Sequence, residues 1–136
     1  MFRHKKPPPT AGDYPCPCCG RLVHVNPPGD YEVCPVCDWE DDPHQIRWPD
    51  ATDGPNGTAS LIDGQQAFQR KAADAEHRGE PIPGGEIPLA PGWRPVDLDV
   101  DHFEPCGVEE MPYPDDLTLL YWWRPDFWRR QPGVPG

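Results

Sequence analysis

The sequence predicts a small α+β fold: a β-hairpin with a Cys-x-x-Cys turn near each end, one following helix, and a proline-rich tail with a further strand. Five of the six cysteines lie within residues 14–37, an amphipathic helical repeat covers about 60–78, and one apolar run covers 117–124. The chain is divided into a flexible N-terminal tail (1–13), a cysteine-rich module (14–78) and a C-terminal extension (79–136) that packs on the module.

The hairpin is predicted from two short apolar stretches that turn residues connect. Residues 21–25 ("RLVHV") and 31–33 ("YEV") have the composition and length of strands. Between them, "NPPGD" combines prolines, which fix φ, with Gly29, which reaches positive φ without steric cost. One cysteine pair then lies near each end of the hairpin.

The helix is predicted from its caps and its apolar face. Ser60 precedes Asp63 by three residues, a variant of the capping box, and Gly79 with Pro81 beyond it provides a stop. Gly64 inside the helix costs roughly 1 kcal/mol relative to Ala, and a close backbone approach is one structural reason for it. The predicted apolar face consists of Leu61, Gln65, Phe68, Ala72 and Ala75.

The extension holds 11 of the 22 prolines and is predicted to be mostly irregular. Its run "LTLLYWWR", residues 117–124, is flanked by "PYPDD" and "RPDFW" and predicts a buried strand that Pro125 ends. Trp93, Phe103 and Trp123 favour packing of the extension on the module, because so much aromatic surface is rarely left in water.

The spacing of four cysteines is typical of a structural zinc site. Two residues separate Cys16 from Cys19 and Cys34 from Cys37, and 14 residues lie between the pairs. Each pair turns the backbone tightly enough to direct both sulfurs at one ion, and Zn²⁺ accepts four thiolates tetrahedrally. The sequence therefore predicts a zinc-ribbon-like module with one structural Zn²⁺. Reduced, unligated cysteines and an iron–sulfur cluster are the alternatives.

Residues beside the cysteines fit such turns, which we call knuckles. Pro17 and Pro35 fix φ after the first cysteine of each pair. Gly20 and Asp38 follow the second cysteine, where a left-handed conformation brings backbone N–H groups toward sulfur. Glycine adopts that conformation freely, and aspartate does so more readily than most residues.

The composition makes the fold depend on the metal. Leu, Ile, Val and Phe account for 23 of 136 residues, and the net charge is −11, which approaches the composition of disordered chains. Six tryptophans oppose that tendency. A structural Zn²⁺ contributes roughly 10–16 kcal/mol of apparent binding free energy, which a module so poor in aliphatic residues needs.

Two cysteines lie outside the proposed ligand set. Cys18, between two ligands, should point away from the metal, either as a small packed hydrophobe or as a reactive thiol near the ion. Cys106 has no cysteine near it in the sequence, and most such residues are structural.

An acidic cluster around Trp39 suggests a protein partner. Carboxylates beside an aromatic ring can anchor a basic protein, and the alternative is that Trp39 packs over the knuckle while the acids are solvated. We therefore expect a zinc-stabilised binding or regulatory protein, with an immunity-like inhibitor of a basic toxin as a specific version. The candidate partner-binding residues are Asp38, Trp39, Glu40, Asp41 and Asp42.

Other classes of function fit less well. Paired-cysteine ribbons often bind nucleic acid, but a net charge of −11 opposes contact with phosphates, so this is the alternative. Four cysteines would close the metal site to substrate, and no Ser/His/Asp set or phosphate loop is evident. His102 and Cys106 lie four residues apart and could pair as base and nucleophile on a helix, but Pro105 argues against a helix there, so we do not expect an enzyme. No apolar run could span a bilayer, and the N-terminus lacks the apolar region of a secretory signal. A cytoplasmic location, where thiols stay reduced, is the expectation.

Three blocks carry a family resemblance. The stretches "YPCPCCG", "YEVCPVCDWEDDP" and "NGTASLIDGQQAF" resemble the cysteine-rich CPCC family of small bacterial proteins, over residues 14 to about 70. In the helix block, the chain keeps Ser60, Leu61 and Phe68 of the family pattern. The resemblance implies zinc binding through the cysteines and names no reaction.

Overall fold

The computed structural model describes residues 12–129 of the chain. The predicted flexible tail therefore lies outside the described residues, except for its last two positions. Within the described range the protein is a small α+β fold, as predicted. Its elements are β1 (Tyr14–Pro15), β2 (Leu22–His24), α1 (Pro43–Arg47), α2 (Leu61–His77) and a 3-10 helix (Leu117–Leu120).

The predicted hairpin between residues 21–25 and 31–33 is wrong, because each stretch pairs across its own knuckle instead. β2 pairs antiparallel with β1, which precedes the first cysteine pair. A knuckle already reverses the chain, so the nearest partner of each stretch is the segment on the other side of its own knuckle. The bend between the two stretches is closed by a side chain, since the Glu32 carboxylate accepts hydrogen bonds from the backbone N–H groups of Val25 (3.2 Å) and Asn26 (2.9 Å).

The two knuckles are built alike. The backbone N–H of Cys16 donates to the carbonyl of Arg21 at 2.9 Å, and the N–H of Cys34 donates to the carbonyl of Trp39 at 2.9 Å. A short antiparallel bridge closes the second knuckle, as β1 and β2 close the first. The architecture is therefore two small hairpins, one around each cysteine pair.

Helix α1 directly follows the second hairpin and was not predicted. Asp42 is its N-cap and accepts from the backbone N–H of His44 at 3.2 Å, and Pro43 occupies the first turn. An acceptor followed by proline is a standard start of a helix, so the signal was present in "DDPHQIRW". The helix buries Gln45, Ile46 and Arg47.

Helix α2 confirms the prediction in its bounds and caps. The Ser60 hydroxyl accepts from the backbone N–H of Asp63 at 3.0 Å, and the Asp63 carboxylate accepts from the N–H of Ser60 at 3.0 Å. Gly79 follows the last turn with a φ of 71°. The buried face consists of Leu61, Gln65 and Ala75, with Phe68 and Ala72 half-buried.

The predicted strand at 117–124 is wrong, although its burial was anticipated. The segment begins as the 3-10 helix, which Asp116 caps by accepting from the N–H of Thr118 at 3.0 Å. Tyr121 and Trp122 then follow and are fully buried. An apolar run of this length indicates burial, but periodicity alone does not distinguish a strand from a helical turn.

The extension crosses both knuckles through a segment that we call the strap, residues 84–93. The backbone N–H of Ala90 donates to the carbonyl of Gly20 at 2.8 Å. Trp93 packs so closely on Gly20 that a Cβ there would lie 2.5 Å from its ring, and the start of the strap contacts Val36 in the second knuckle. The extension therefore covers the cysteine pairs.

None of the helices within residues 12–129 combines the length and apolarity that crossing a bilayer requires.

The core is built around the cysteines rather than beside them. The central cluster contains four cysteines, three aromatic residues and three aliphatic residues: Cys16, Cys18, Cys19, Cys34, Trp39, Trp122, Phe127, Ile46, Leu61 and Leu120.

Candidate metal centre

The structure brings the four cysteines of the two knuckles to one point. Their sulfur atoms all lie within 4.8 Å of one another. The closest contacts cross between the knuckles: Sγ of Cys16 lies 3.6 Å from Sγ of Cys37, and Sγ of Cys19 lies 3.8 Å from Sγ of Cys34. A disulfide bond measures about 2.05 Å, so the four groups are free thiols held at contact distance.

A left-handed residue after each cysteine pair orients the sulfurs of that pair, as the sequence predicted. Gly20 has a φ of 82° and Asp38 a φ of 66°, both left-handed. In each case the N–H donates to the carbonyl of the first cysteine of the pair, at 2.7 Å and 2.8 Å respectively. The N–H of Val36 also donates to Sγ of Cys34 at 3.3 Å, a contact that favours a thiolate there.

The four thiols are electrostatically coupled. Burial raises the pKa of the Cys16 thiol well above its usual value, and hydrogen bonds from its neighbours add to that effect. Hydrogen bonds from Cys16 and Cys19 lower the pKa of Cys34. Four adjacent thiols, three of them buried, cannot all ionise together without a cation, whereas a bound cation favours the thiolate at every position.

The sulfur arrangement fits one tetrahedral ion. Zinc–sulfur bonds of about 2.3 Å place the sulfurs of a regular tetrahedron about 3.8 Å apart. The two crossing contacts, at 3.6 Å and 3.8 Å, match that edge length. The thiolates of a multi-iron cluster radiate from different iron atoms and lie further apart, so the geometry favours a single ion.

Cys18 lies beside the four-sulfur group without belonging to it. Its side chain is 3% exposed and packs in the core cluster. A Cβ added to Gly64 of α2 would lie 3.2 Å from Sγ of Cys18 and 2.9 Å from the ring of Trp39. The helix therefore approaches the first knuckle through Gly64, and the predicted close backbone approach is present.

Replacing Gly64 with Ala should destabilise the protein despite the better helix propensity of alanine. The added methyl meets Trp39 and Cys18 at distances that real Cβ atoms rarely show, and overpacking of this kind costs about 1–3 kcal/mol, more than the roughly 1 kcal/mol gained. Urea denaturation checks this. The exposed Gln69 gives the matched control, since Gln69→Ala should leave stability nearly unchanged. A Gly64→Ala protein more stable than the wild type would contradict the tight packing.

Cys106 is exposed, and its sulfur does not join the four-sulfur group. His102, four residues earlier, is also exposed and lies in irregular chain. The structure therefore places Cys106 on the surface of the extension, outside the four-sulfur group.

The acidic cluster is not a continuous surface. Trp39 is buried against α2, as the alternative interpretation anticipated, and Asp42 is buried as the N-cap of α1. Asp41 is also buried, Glu40 is half-buried, and only Asp38 is exposed. Burial removes three of these five residues from any contact surface, because their position after the knuckle turns them inward.

Asp41 belongs to a buried polar group next to the cysteines. Its carboxylate lies 4.0 Å from Nε2 of His24, whose Nδ1 lies 3.6 Å from the carboxylate of Glu32. Burial, followed by the charge of Glu32, raises the pKa of Asp41 to about 7.

Sequence reasoning missed a second centre of interactions, around Arg47. The guanidinium donates two hydrogen bonds to Glu104, at 2.6 Å and 2.8 Å, and both side chains are almost fully buried. Three aromatic rings surround it within 5 Å: Trp48, Tyr113 and Trp128. The two charged partners are 57 residues apart, so no local pattern could have paired them.

Comparison with known proteins agrees with the cysteine pattern. The model of the family described as "Cysteine-rich CPCC" matches residues 14–81, half of the chain, and covers both knuckles and α2. No curated protein matches the sequence. The resemblance in the knuckles is therefore confirmed, and the chain belongs to the cysteine-rich CPCC family.

Proposed function

We propose that this protein is a zinc-stabilised binding protein in which Cys16, Cys19, Cys34 and Cys37 hold one structural Zn²⁺. The observation that carries the proposal is the set of four sulfurs within 4.8 Å, with crossing contacts of 3.6 Å and 3.8 Å. The two crossing contacts match the separation of thiolates on one tetrahedral ion. The metal would join two small hairpins that share little other regular structure.

The proposed role of the metal is structural rather than catalytic. Four thiolates fill a tetrahedral coordination sphere, whereas a catalytic zinc keeps one position open for water or substrate. The strap adds a second barrier, because Trp93 and Ala90 lie over the first knuckle. Three of the four cysteines are buried, and Cys37 is half-buried.

The partner that we propose is a protein with a basic surface, in a reducing bacterial cytoplasm. The net charge of −11 attracts cationic surfaces and repels nucleic acid. Within the described residues, five arginines already form ion pairs with carboxylates, which further favours a cationic partner over a polyanion. These are Arg47, Arg78, Arg94, Arg124 and Arg129. An immunity-like inhibitor of a basic toxin is one specific form of this proposal.

Elemental analysis of the purified protein, combined with a thiol count, tests the metal. We expect one zinc per chain and four thiols protected by the metal, so that of the two remaining thiols the exposed Cys106 reacts readily in the folded protein and the buried Cys18 reacts slowly. All six thiols should react once chelation has removed the metal and unfolded the chain. Cobalt substitution provides a second readout, since tetrahedral thiolate ligation gives Co²⁺ a distinctive absorbance. Protein that binds no metal, or binds iron with a coloured absorbance, would overturn the zinc assignment.

A further inference from the structure

The four cysteines of the metal centre are not equally accessible to solvent. Cys16 and Cys34 are fully buried and Cys19 is 3% exposed, whereas Cys37 is only half-buried. Oxidation of cysteine requires contact between the reagent and the sulfur, so accessible thiolates react before buried ones. A small reagent in solution therefore meets Cys37 before it meets the other three ligands.

The strap accounts for part of this difference, because it runs along the first knuckle. The backbone N–H of Leu22 donates to the carbonyl of Pro88 at 2.9 Å, and the N–H of Ala90 donates to the carbonyl of Gly20 at 2.8 Å. At the second knuckle the strap contacts Val36. The metal centre is therefore covered on the side of the first knuckle, and its half-buried ligand belongs to the second.

Hydrogen bonding also separates Cys37 from Cys34, the other ligand of the second knuckle. The backbone N–H of Val36 donates to Sγ of Cys34 at 3.3 Å, and within residues 12–129 no backbone N–H makes such a bond to Sγ of Cys37. A hydrogen bond lowers the basicity of a thiolate, and its nucleophilicity falls with its basicity. Cys37 is thus the more accessible and the less restrained nucleophile of the pair.

A second thiol lies within reach of Cys37 on the opposite knuckle. Sγ of Cys16 is 3.6 Å away, and a disulfide of about 2.05 Å would need the two sulfurs to approach by about 1.5 Å. The two residues are 21 positions apart and belong to different hairpins. A disulfide between them would join the same two hairpins that the metal joins.

We propose that the metal centre is also an oxidation site, in which a peroxide oxidises Cys37 first and Cys16 then closes a disulfide with it. This inference rests on the proposed zinc site and adds a second, disulfide-linked state to it. A peroxide is the class of oxidant that fits, because it is small and uncharged. Anionic oxidants such as glutathione disulfide are repelled by a protein whose net charge is −11.

The reaction takes two steps and needs no other reactant. The Cys37 thiolate attacks one oxygen of hydrogen peroxide, so that an S–O bond forms, the O–O bond breaks and hydroxide leaves. The Cys16 thiolate then attacks the sulfur of the resulting sulfenic acid, so that the S–S bond forms and a second hydroxide leaves. Two thiolates lose two electrons, and one peroxide is reduced to two hydroxide ions. Neither sulfur can then serve as a thiolate ligand.

The test adds hydrogen peroxide to the zinc-loaded full chain carrying Cys106→Ser, which removes the exposed thiol. We expect each chain to lose two of its five thiols and to release its zinc to a colorimetric chelator. Dimedone, which traps sulfenic acids, should label Cys37 when it is present from the start. Trypsin cleaves after Arg21, between the two cysteine pairs, so mass spectrometry should find two peptides linked through Cys16 and Cys37.

Cys18→Ser in the same background is the matched control, because Cys18 is a buried thiol outside the four-sulfur group. It should form the same link between Cys16 and Cys37. Loss of the link in this variant, or a disulfide between Cys34 and Cys37, would overturn the assignment of Cys16.

Retention of zinc and of all five thiols, at a peroxide concentration that oxidises Cys106 in the wild type, would overturn the oxidation site itself. Zinc content measured before the peroxide is added separates this inference from the proposed function. A chain that holds no zinc at that point refutes the metal proposal, whereas a zinc-loaded chain that resists peroxide refutes only the oxidation site.

Discussion

Replacing Cys34 with Ser should abolish the folded state rather than weaken it. Loss of one thiolate removes most of the roughly 10–16 kcal/mol that a structural zinc contributes, and small domains are stable by only about 5–15 kcal/mol. Cys34 is fully buried in the cluster, where serine would offer the ion a hydroxyl in place of a thiolate. Circular dichroism, tryptophan emission and metal content should all report an unfolded, metal-free chain.

Two variants serve as controls for that experiment. Cys106→Ser changes an exposed thiol and should retain the metal and the stability of the wild type. Cys18→Ser changes a buried thiol outside the four-sulfur group and should retain one metal per chain. If Cys18→Ser released the metal as completely as Cys19→Ser does, the ligand set would be wrong. A Cys34→Ser protein that stays folded with its zinc would refute the structural role.

Breaking the ion pair between Arg47 and Glu104 should give the second largest effect. Both side chains are buried, and the guanidinium also donates to the carbonyl of Met111. Arg47→Met would leave the Glu104 carboxylate buried without its partner, and we expect a loss of about 3–5 kcal/mol in the free energy of unfolding. Urea denaturation of the zinc-loaded protein measures it.

The double variant with both residues changed to Met separates pairing from burial. It should be more stable than the sum of the single losses predicts, because no charge is then left buried alone. Arg78→Met is the matched control, since Arg78 and Glu80 form a pair that is more than half exposed. Equal losses for Arg47→Met and Arg78→Met would show that the buried pair does not anchor the extension.

The same pair gives stability a pH dependence of definite sign. The hydrogen bonds from Arg47 lower the pKa of Glu104 below its usual value. Glu104 therefore stabilises the fold above the pKa that it has in the unfolded chain, and this contribution is lost as the pH falls toward the lowered value. Protonation of the cysteine thiolates would also release the metal as the pH falls. Because Arg47→Met lacks the hydrogen bonds that lower the pKa of Glu104, its acid transition should begin at a higher pH than that of the wild type.

The sequence by itself determined the features that depend on neighbouring residues. Two-residue spacing, with Gly20 and Asp38 after each pair, specified the knuckles and their left-handed backbone. Ser60 and Asp63 specified the start of α2 through a capping box that spans three residues. These signals are local, so the surrounding fold was not needed to interpret them.

Only the tertiary structure decided which segments meet. The predicted hairpin failed because each knuckle supplied a closer partner for its own flanks, and the predicted strand at 117–124 failed because a buried apolar run has no fixed secondary structure. Asp42 is buried as the N-cap of α1 and Trp39 is buried against α2, and both contacts exist only once the chain has folded. Arg47 and Glu104 lie 57 residues apart in the sequence, so only the folding of the chain brings their charges together.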